Sequence, residues 1–480
     1  MKRALILTAV LTPWLAACAS NASMPKADVR VPAAFEAPKP QAVAAPQVLD
    51  RWWESYNDPQ LTQLVDEALK NSFDQRDALA KLAQAAAVKR EVYAEALPTG
   101  NLTGSAGRSR TQILSGASGD FIQPGATTNL SASFNVSWEA DLFGRVAQGH
   151  KFAKADLRAA EFTYEATRTA LAANVAQSLF EARGLAIQLQ DAEETVRIDE
   201  ELRRLADVRV SHGLSPSGDL DQAEANLGSA KAQAESLRGQ LLTARRSLLL
   251  LVGRSVDPLD SLPAAATVGT PPPIPEMIPG ELLARRPDVR SAEFQVVSRA
   301  AQLKLAKLAL FPTINLQPGA TLARTIGDPS YTSFFWNLAA GATVPILDRP
   351  KLIAQIHEQH AIAEQVVIAY ERAVQTAYTE VENSLVLLDS DGKRVAILTA
   401  AERRAESAYE KARVGYARGL NDLQTALVAE NTWRTIHSQM TAAQSTLMER
   451  SVQAFKAMGG GWTPAAPAES APPEVRAGKG

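Results

Sequence analysis

One pattern occurs twice along the chain, first over 74–224 and again over 288–430. Each copy contains a helical segment, two strand-like segments and two further helical segments. The identical residues that align the copies are Asp74 and Asp288, Pro98 and Pro312, Gly213 and Gly419, and Leu214 and Leu420. This duplication constrains the fold more than any other feature, because it predicts two fused halves of one architecture.

The amino terminus has the layout of a bacterial lipoprotein signal. Two basic residues precede an apolar stretch, 4–14, that is too short to span a bilayer, and Leu-Ala-Ala-Cys follows at 15–18. This layout predicts a signal peptide over 1–17 and lipid attachment to Cys18. The alternative is an ordinary secretory signal with an incidental cysteine. Cys18 is the only cysteine, so disulfides and thiolate metal sites are excluded.

Segments rich in proline and alanine, or in glycine, flank and separate the two copies. They cannot bury enough apolar surface to fold alone, so we expect them to be extended or disordered. The predicted organisation after the signal is a lipidated linker, 18–49; a first repeat, 50–253; a proline-rich linker, 254–279; a second repeat, 280–458; and a disordered tail, 459–480.

The middle of each copy has the alternation of a strand. Apolar and polar residues alternate strictly over 129–139, which predicts one apolar and one polar face. The segments 99–110, 314–322 and 336–344 are the other predicted strands. After the signal no run of about 20 apolar residues occurs, so a membrane could be crossed only by strands. The alternative is a soluble sheet packed on helices.

Four strands cannot close a barrel. Open sheet edges in lipid leave unpaired backbone groups that cost several kcal/mol each, so other copies of the chain would have to complete the sheet. Membrane barrels begin at about eight strands. Two chains would give eight strands and a filled interior, whereas three would give twelve and room for a lumen. The polar strand faces favour three.

The helical segments are too long for an ordinary globular domain. From 148 to 211 no proline occurs, and about 64 helical residues correspond to roughly 95 Å; the second copy matches over 351–415. Val367, Val374 and Val381 follow at intervals of seven, as in a coiled-coil seam. A Gly-Leu pair ends each long helix, and the following turn either only caps helices or docks a partner.

Several motifs add a resemblance that covers about 50–458. The chain resembles the TolC-like outer-membrane efflux proteins, in the lipoprotein branch called NodT-type or OprM-like. The motifs that carry it are Arg51-Trp52-Trp53, Trp138-Glu139-Ala140-Asp141-Leu142-Phe143-Gly144-Arg145, Leu282-Leu283-Ala284-Arg285-Arg286-Pro287-Asp288-Val289-Arg290-Ser291-Ala292-Glu293, and Phe311-Pro312-Thr313.

The resemblance implies an α+β membrane protein of duplicated repeats. Four strands per chain would contribute to a trimeric 12-stranded outer-membrane barrel, continued by a long periplasmic α-helical barrel. It also implies a periplasmic adaptor and an inner-membrane pump of the resistance-nodulation-division type. Ala19 after the cysteine favours the outer membrane over the inner one. The implied adaptor-docking tips are Gly213, Leu214, Gly419 and Leu420.

The resemblance also implies a periplasmic gate on the second helical hairpin. The matching positions are Arg413, Tyr416, Asp422 and Glu430. The chain departs from the family at Val428, where an aspartate is usual. A carboxylate ring at that position is therefore absent, which puts cation binding there in doubt.

No residue pattern indicates catalysis or a cofactor. His357 and His360 share a helix face but have no third metal ligand nearby, and phosphate-loop or nucleophile motifs do not occur. A formal net charge of −2 gives no reason to expect nucleic-acid binding. The resemblance therefore implies a passive exit duct of a tripartite efflux pump. Alternatives are a duct for type I protein secretion and a lipid-anchored periplasmic coiled-coil scaffold.

Overall fold

The structure, a computed structural model, describes residues 23–38, 49–110, 125–275 and 278–462. The predicted signal peptide, Cys18, the loop 111–124 and the tail after 462 lie outside the described residues.

The first repeat follows a short 3-10 helix, Leu49–Tyr56. Its elements are α1 Pro59–Asn71, α2 Phe73–Ala94, β1 Thr99–Arg110, β2 Ala126–Ala140, α3 Arg145–Ser211 and α4 Ser217–Leu251. Asp58 caps α1 by accepting hydrogen bonds from the backbone of Gln60 and Leu61. Asp141 caps α3 in the same way, since its Oδ1 accepts from the Arg145 backbone at 2.7 Å.

The second repeat has the same order of elements. They are α5 Pro279–Arg285, α6 Pro287–Leu308, β3 Thr313–Ile326, β4 Tyr331–Thr343, α7 Arg349–Ala417 and α8 Leu423–Ala457. The long helices α3 and α7 contain 67 and 69 residues. On α7 the heptad valines at 367, 374 and 381 are at most 3% exposed. Leu388 and Val395, which continue the same spacing, are half-buried.

The strands form one antiparallel sheet in the order β1-β2-β3-β4. The two repeats therefore meet where β2 pairs with β3. The prediction of four strands per chain is confirmed. The second hairpin loop is short, because Thr325 pairs with Tyr331 and Ile326 still pairs with Thr128 on β2, which leaves 327–330 unpaired. Ser330 closes this loop by donating to the Gly327 carbonyl at 2.6 Å.

The two faces of the sheet differ as the alternation predicts. On the polar face, Thr321 donates to the Ser133 hydroxyl at 3.0 Å, and Thr325 donates to Asn129 Oδ1 at 3.0 Å. Ser105 and Ser131 share a 2.7 Å hydrogen bond. The apolar face carries Leu102, Leu130, Phe134, Val136, Trp138, Leu316, Leu322, Phe334, Trp336 and Leu338. Side-chain hydrogen bonds thus link neighbouring strands on one face, and the other face carries mostly apolar side chains.

The chain divides into two compact units. Of the described residues, the first contains 23–27, 83–110, 125–160 and 292–370, and its core includes Leu303, Leu310 and Ile356. The second contains 28–38, 49–82, 161–275, 278–291 and 371–462.

The early tryptophan motif is the centre of the second unit. Trp52 and Trp53 are each 1% exposed, and Trp52 stacks on Phe455 with ring centroids 5.6 Å apart. Arg286 is also buried, and it pairs with Asp288 and Glu380 at 2.6 Å each. Two of the motifs that carry the family resemblance therefore supply buried contacts of this unit, and Trp52 joins the start of the first repeat to the last helix of the second.

The proline-rich linker is more ordered than the sequence predicts. Its described part, 254–275, contains a short 3-10 helix, Leu259–Ser261, and buries Leu262 and Ile274. Arg245 on α4 donates to the Leu262 carbonyl at 2.9 Å. The segment has few apolar residues to bury, so hydrogen bonds from arginine side chains to its backbone help to hold it in place.

Among the described residues, no helix combines the length and the apolar character needed to span a bilayer.

Candidate functional site

Both long helices end at a glycine in the left-handed conformation. Gly213 has φ +70° and Gly419 has φ +74°. The next residue closes each helix, since the Leu214 backbone donates to the Arg209 carbonyl and the Leu420 backbone to the Gly415 carbonyl, both at 2.8 Å. We refer to 212–216 and 418–422 as the first and second tip turns. Leu214 is 68% exposed and Leu420 is 76% exposed, so each turn presents one bare leucine.

The two tip turns restart their helices differently. In the second, Asp422 Oδ1 accepts from the Thr425 backbone at 2.8 Å, and hydrogen bonds from Thr425 lower the pKa of Asp422. In the first, Pro216 occupies the cap position and supplies no side-chain hydrogen bond. Asp422, predicted as a gate residue, therefore has a capping contact in this structure.

Tyr416 lies inside the helical packing. It is 0% exposed and packs with Leu202, Leu423 and Ala426. The Arg209 guanidinium lies 4.9 Å above its ring and donates to the Tyr416 carbonyl at 3.2 Å. This cation–π contact joins α3 to the end of α7.

Arg413 is more exposed than Tyr416. Its guanidinium lies 3.2 Å from Glu410 on the same helix and 3.8 Å from Glu201 on α3. Exposed pairs of this kind contribute little to stability, because water and salt screen them.

Glu430 belongs to a buried charge cluster. Its side chain is 2% exposed and lies 3.4 Å from Arg434 on the next turn of α8. The same Arg434 lies 3.5 Å from Asp199 on α3, whose side chain is 1% exposed. Burial raises the pKa of Glu430 to about 7 and also raises the pKa of Asp199. Two buried carboxyls share one guanidinium, so one bound proton makes the cluster neutral.

A second cluster lies one turn further along α8. His437 Nε2 is 3.2 Å from Asp191 on α3, and its Nδ1 is 3.1 Å from Glu402 on α7. Hydrogen bonding to Asp191 raises the pKa of His437 to about 9. Trp433 donates to the same Glu402 oxygen at 3.3 Å and stacks on Tyr409. The imidazolium therefore joins three helices at neutral pH.

An exposed stripe runs along α8 beside these clusters, and three of its residues line the same cavity as His437. Val428 is 55% exposed, and residues 428 and 430 lie about 200° apart around a helix. Along the stripe the exposed residues are Gln424, Val428, Asn431, Thr435 and Ser438. The stripe is uncharged, and Val428 is its apolar member.

Sequence reasoning found Glu430 but missed Asp199 and the partners of His437. The spacing of Glu430 and Arg434 is a local signal for an ion pair. Asp191, Asp199 and Glu402 lie on other helices, and no local pattern marks them as partners. Among the described residues, no three metal-ligating side chains are grouped so that they could hold an ion.

A four-stranded sheet with opposed polar and apolar faces, joined to duplicated helical hairpins, defines a class of membrane-channel subunits. The family model described as outer membrane efflux protein matches residues 64–254 and 278–460. The chain belongs to this family. The resemblance drawn from the motifs, the efflux function and the outer-membrane location are thereby confirmed.

Named relatives extend over nearly the same length. The pyoverdine export outer membrane protein OpmQ of Pseudomonas aeruginosa is 28% identical over 424 residues, covering 86% of this chain and 87% of OpmQ. The probable outer membrane lipoprotein SilC of Salmonella typhimurium is 27% identical and covers 86% and 88%. The structure of the open state of the Neisseria gonorrhoeae MtrE outer membrane channel superposes with a TM-score of 0.77 at 25% identity, covering 92% of this chain and 98% of MtrE.

Proposed function

We propose that three copies of this chain form a passive exit duct, with a twelve-stranded barrel in the outer membrane and a helical barrel in the periplasm. The sheet is the observation that supports this proposal most. Its polar face carries hydroxyl and amide groups and its apolar face carries aliphatic and aromatic groups, which suits a wall between water and lipid. In the described part of the chain β1 and β4 each pair on one side only. Further copies would satisfy those edges.

The polar face supports three copies over two. Two chains would give eight strands, and side chains fill the interior of a barrel of that size. The hydroxyl and amide groups of Asn129, Ser133 and Thr321 would then lie in a crowded interior. Each can form more hydrogen bonds than the ones these side chains share, and the remaining donors and acceptors need water. Twelve strands leave a lumen that supplies this water.

At the periplasmic end, we assign the tip turns to adaptor docking and the helices near them to a gate. Glu430 and Tyr416 are buried between helices, so in this proposal they hold α3, α7 and α8 together and do not line the passage. Val428 and the uncharged stripe of α8 line it. Arg413, which is half-buried and pairs with Glu201 on α3, is the gate residue nearest the surface.

The remaining parts of the assembly follow from the family. Cys18 is proposed as the lipid attachment, in keeping with the relative SilC, which is named a lipoprotein. The proposed partners are a periplasmic adaptor and an inner-membrane pump of the resistance-nodulation-division type, which supplies the energy. OpmQ is named for pyoverdine export, and this supports small-molecule cargo over protein cargo. No catalytic role is assigned to any residue.

Thiol accessibility tests the duct directly. In a Cys18→Ser background, we expect Ser133→Cys to react with a membrane-impermeant maleimide in reconstituted vesicles. Phe134→Cys, on the opposite face of β2, should not react. The same protein should give discrete conductance steps in planar bilayers and the mass of a trimer in detergent. A folded monomer without conductance, or equal labelling at both positions, would refute the duct.

A further inference from the structure

Charged residues are rare in the sheet and are distributed unevenly. The four strands contain Arg108, Arg110, Arg324 and Glu139 as their charged residues. Glu139 lies at the helix-proximal end of β2, 3.5 Å from Arg145. The three arginines lie at the opposite end, beside the hairpin loops.

The strand register places the three arginines on the apolar face. Arg324 pairs with Leu130 across β2–β3, and its next neighbours on the same face of β3 include Leu322. Arg108 pairs with Thr128 and Arg110 with Ala126, so both share the face of Leu130. The polar face of the four strands carries no basic residue. The cationic groups therefore lie on the side that would meet lipid, not in the duct.

The arginines are close enough to act on one ligand. Arg108 and Arg324 are two strands apart and staggered by two residues, which places their Cα atoms about 12 Å from each other. Each side chain is exposed, and none of the three forms an ion pair with a described residue. On the same face, Phe334 and Trp336 lie one and two steps from the level of Arg324 toward the middle of the sheet, and both are residue types common at a bilayer interface.

An arginine on the lipid face is costly at mid-bilayer and nearly neutral at the rim. A long side chain at the rim can extend its guanidinium to the headgroups while its methylenes stay against the apolar band. Guanidinium groups bind phosphate through paired hydrogen bonds. A position that needed only solubility would be served by serine or threonine, which the neighbouring positions use.

We propose that Arg108, Arg110 and Arg324 form a phosphate-binding rim that holds anionic, phosphate-bearing lipids of the outer leaflet against the sheet. This inference rests on the proposed function, because it requires the sheet to lie in the bilayer. The rim fixes the height of the sheet in the membrane and leaves the lumen free of positive charge.

Spin-labelled lipids test the rim. The full-length protein is reconstituted in phosphatidylcholine, and the motionally restricted fraction is compared for labelled phosphatidic acid and labelled phosphatidylcholine. We expect phosphatidic acid to be favoured at least about fivefold, the effect of one arginine near a membrane surface. Arg108→Gln/Arg110→Gln/Arg324→Gln should reduce this preference to about one, and excess inorganic phosphate should not abolish it in the unmodified protein.

Two controls separate the rim from general charge. Arg108→Lys/Arg110→Lys/Arg324→Lys should keep most of the preference, and this result would also show that a protein altered at these three positions still folds. Neutralising three exposed cations on α7, Arg403, Arg404 and Lys411, changes the net charge equally and should leave the preference intact.

The outcomes distinguish this inference from the duct itself. Restricted lipid without any preference for phosphatidic acid, or equal loss in the α7 control, would overturn the phosphate-binding rim and leave the duct standing. No restricted lipid of either kind would mean that the sheet lies outside the bilayer, and the proposed function would fail first.

Discussion

Replacing Glu430 by glutamine should remove a pH-dependent contact between α3 and α8. Burial raises the pKa of Glu430 to about 7 from an ordinary value of 4.5. An acid whose pKa is higher in the folded state binds more protons there. The stability that Glu430 contributes by binding a proton is therefore fully present below about pH 4.5, and it is lost as pH rises through 7. The difference corresponds to about 3 kcal/mol of local stability.

Amide hydrogen exchange over 423–437, corrected for intrinsic rates, measures this contact. In the unmodified protein, protection should fall on the order of 100-fold between about pH 5 and pH 8. Asp199 on α3, Tyr409 on α7 and Arg434 on α8 face Glu430. The variant leaves these three neighbours unchanged. In the Glu430→Gln variant, amide protection over these residues should no longer vary with pH up to about pH 7.

The duplication provides a matched control for that experiment. Glu224 is the equivalent of Glu430 in the first repeat, and it forms an exposed pair with Arg203. Glu224→Gln should leave the profile unchanged. A Glu430→Gln protein that keeps the full pH slope would refute the assignment of the bound proton to this cluster.

Three further changes have defined outcomes. His437→Asn leaves the two carboxylates it joins facing each other and should destabilise the helical unit by about 2 kcal/mol in thermal melts, with recovery when Glu402→Gln is added. Asp422→Ala should cost about 1 kcal/mol of local protection at the second tip turn, whereas Asp422→Asn should not. Phe335→Ala, on the polar face opposite Thr321, should raise single-channel conductance, and Phe334→Ala on the other face should not; equal effects would contradict the lumen assignment.

The fold was predictable because its signals are local or periodic. Alternation over 129–139 marks a strand, and an uninterrupted helical stretch ended by glycine marks a long helix; β2 and α3 follow these signals. Because the sequence is duplicated, the order of elements in the first repeat predicts the order in the second. The linker at 254–275 was harder, since its order depends on arginine side chains of α4 and not on its own composition.

The candidate site was predictable only along one helix at a time. The family motif indicated Tyr416 and Glu430 by their positions in the sequence, but a position in a motif does not show whether a side chain is exposed. Both side chains are buried. Whether Glu430 binds a proton depends on Asp199, which lies 231 positions earlier in the chain. Contacts between distant helices follow from packing, and packing has no local signature.

The two repeats use the same acidic position for different purposes. In the first, Arg203 on α3 donates to Glu224 at 2.9 Å, and both side chains are more than a third exposed. The residue equivalent to Arg203 in the second repeat is Tyr409, which carries no positive charge to offer Glu430. Glu430 is therefore left with Arg434, which it shares with Asp199. A screened surface pair contributes little at any pH, so of the two equivalent glutamates only Glu430 forms a pH-dependent contact.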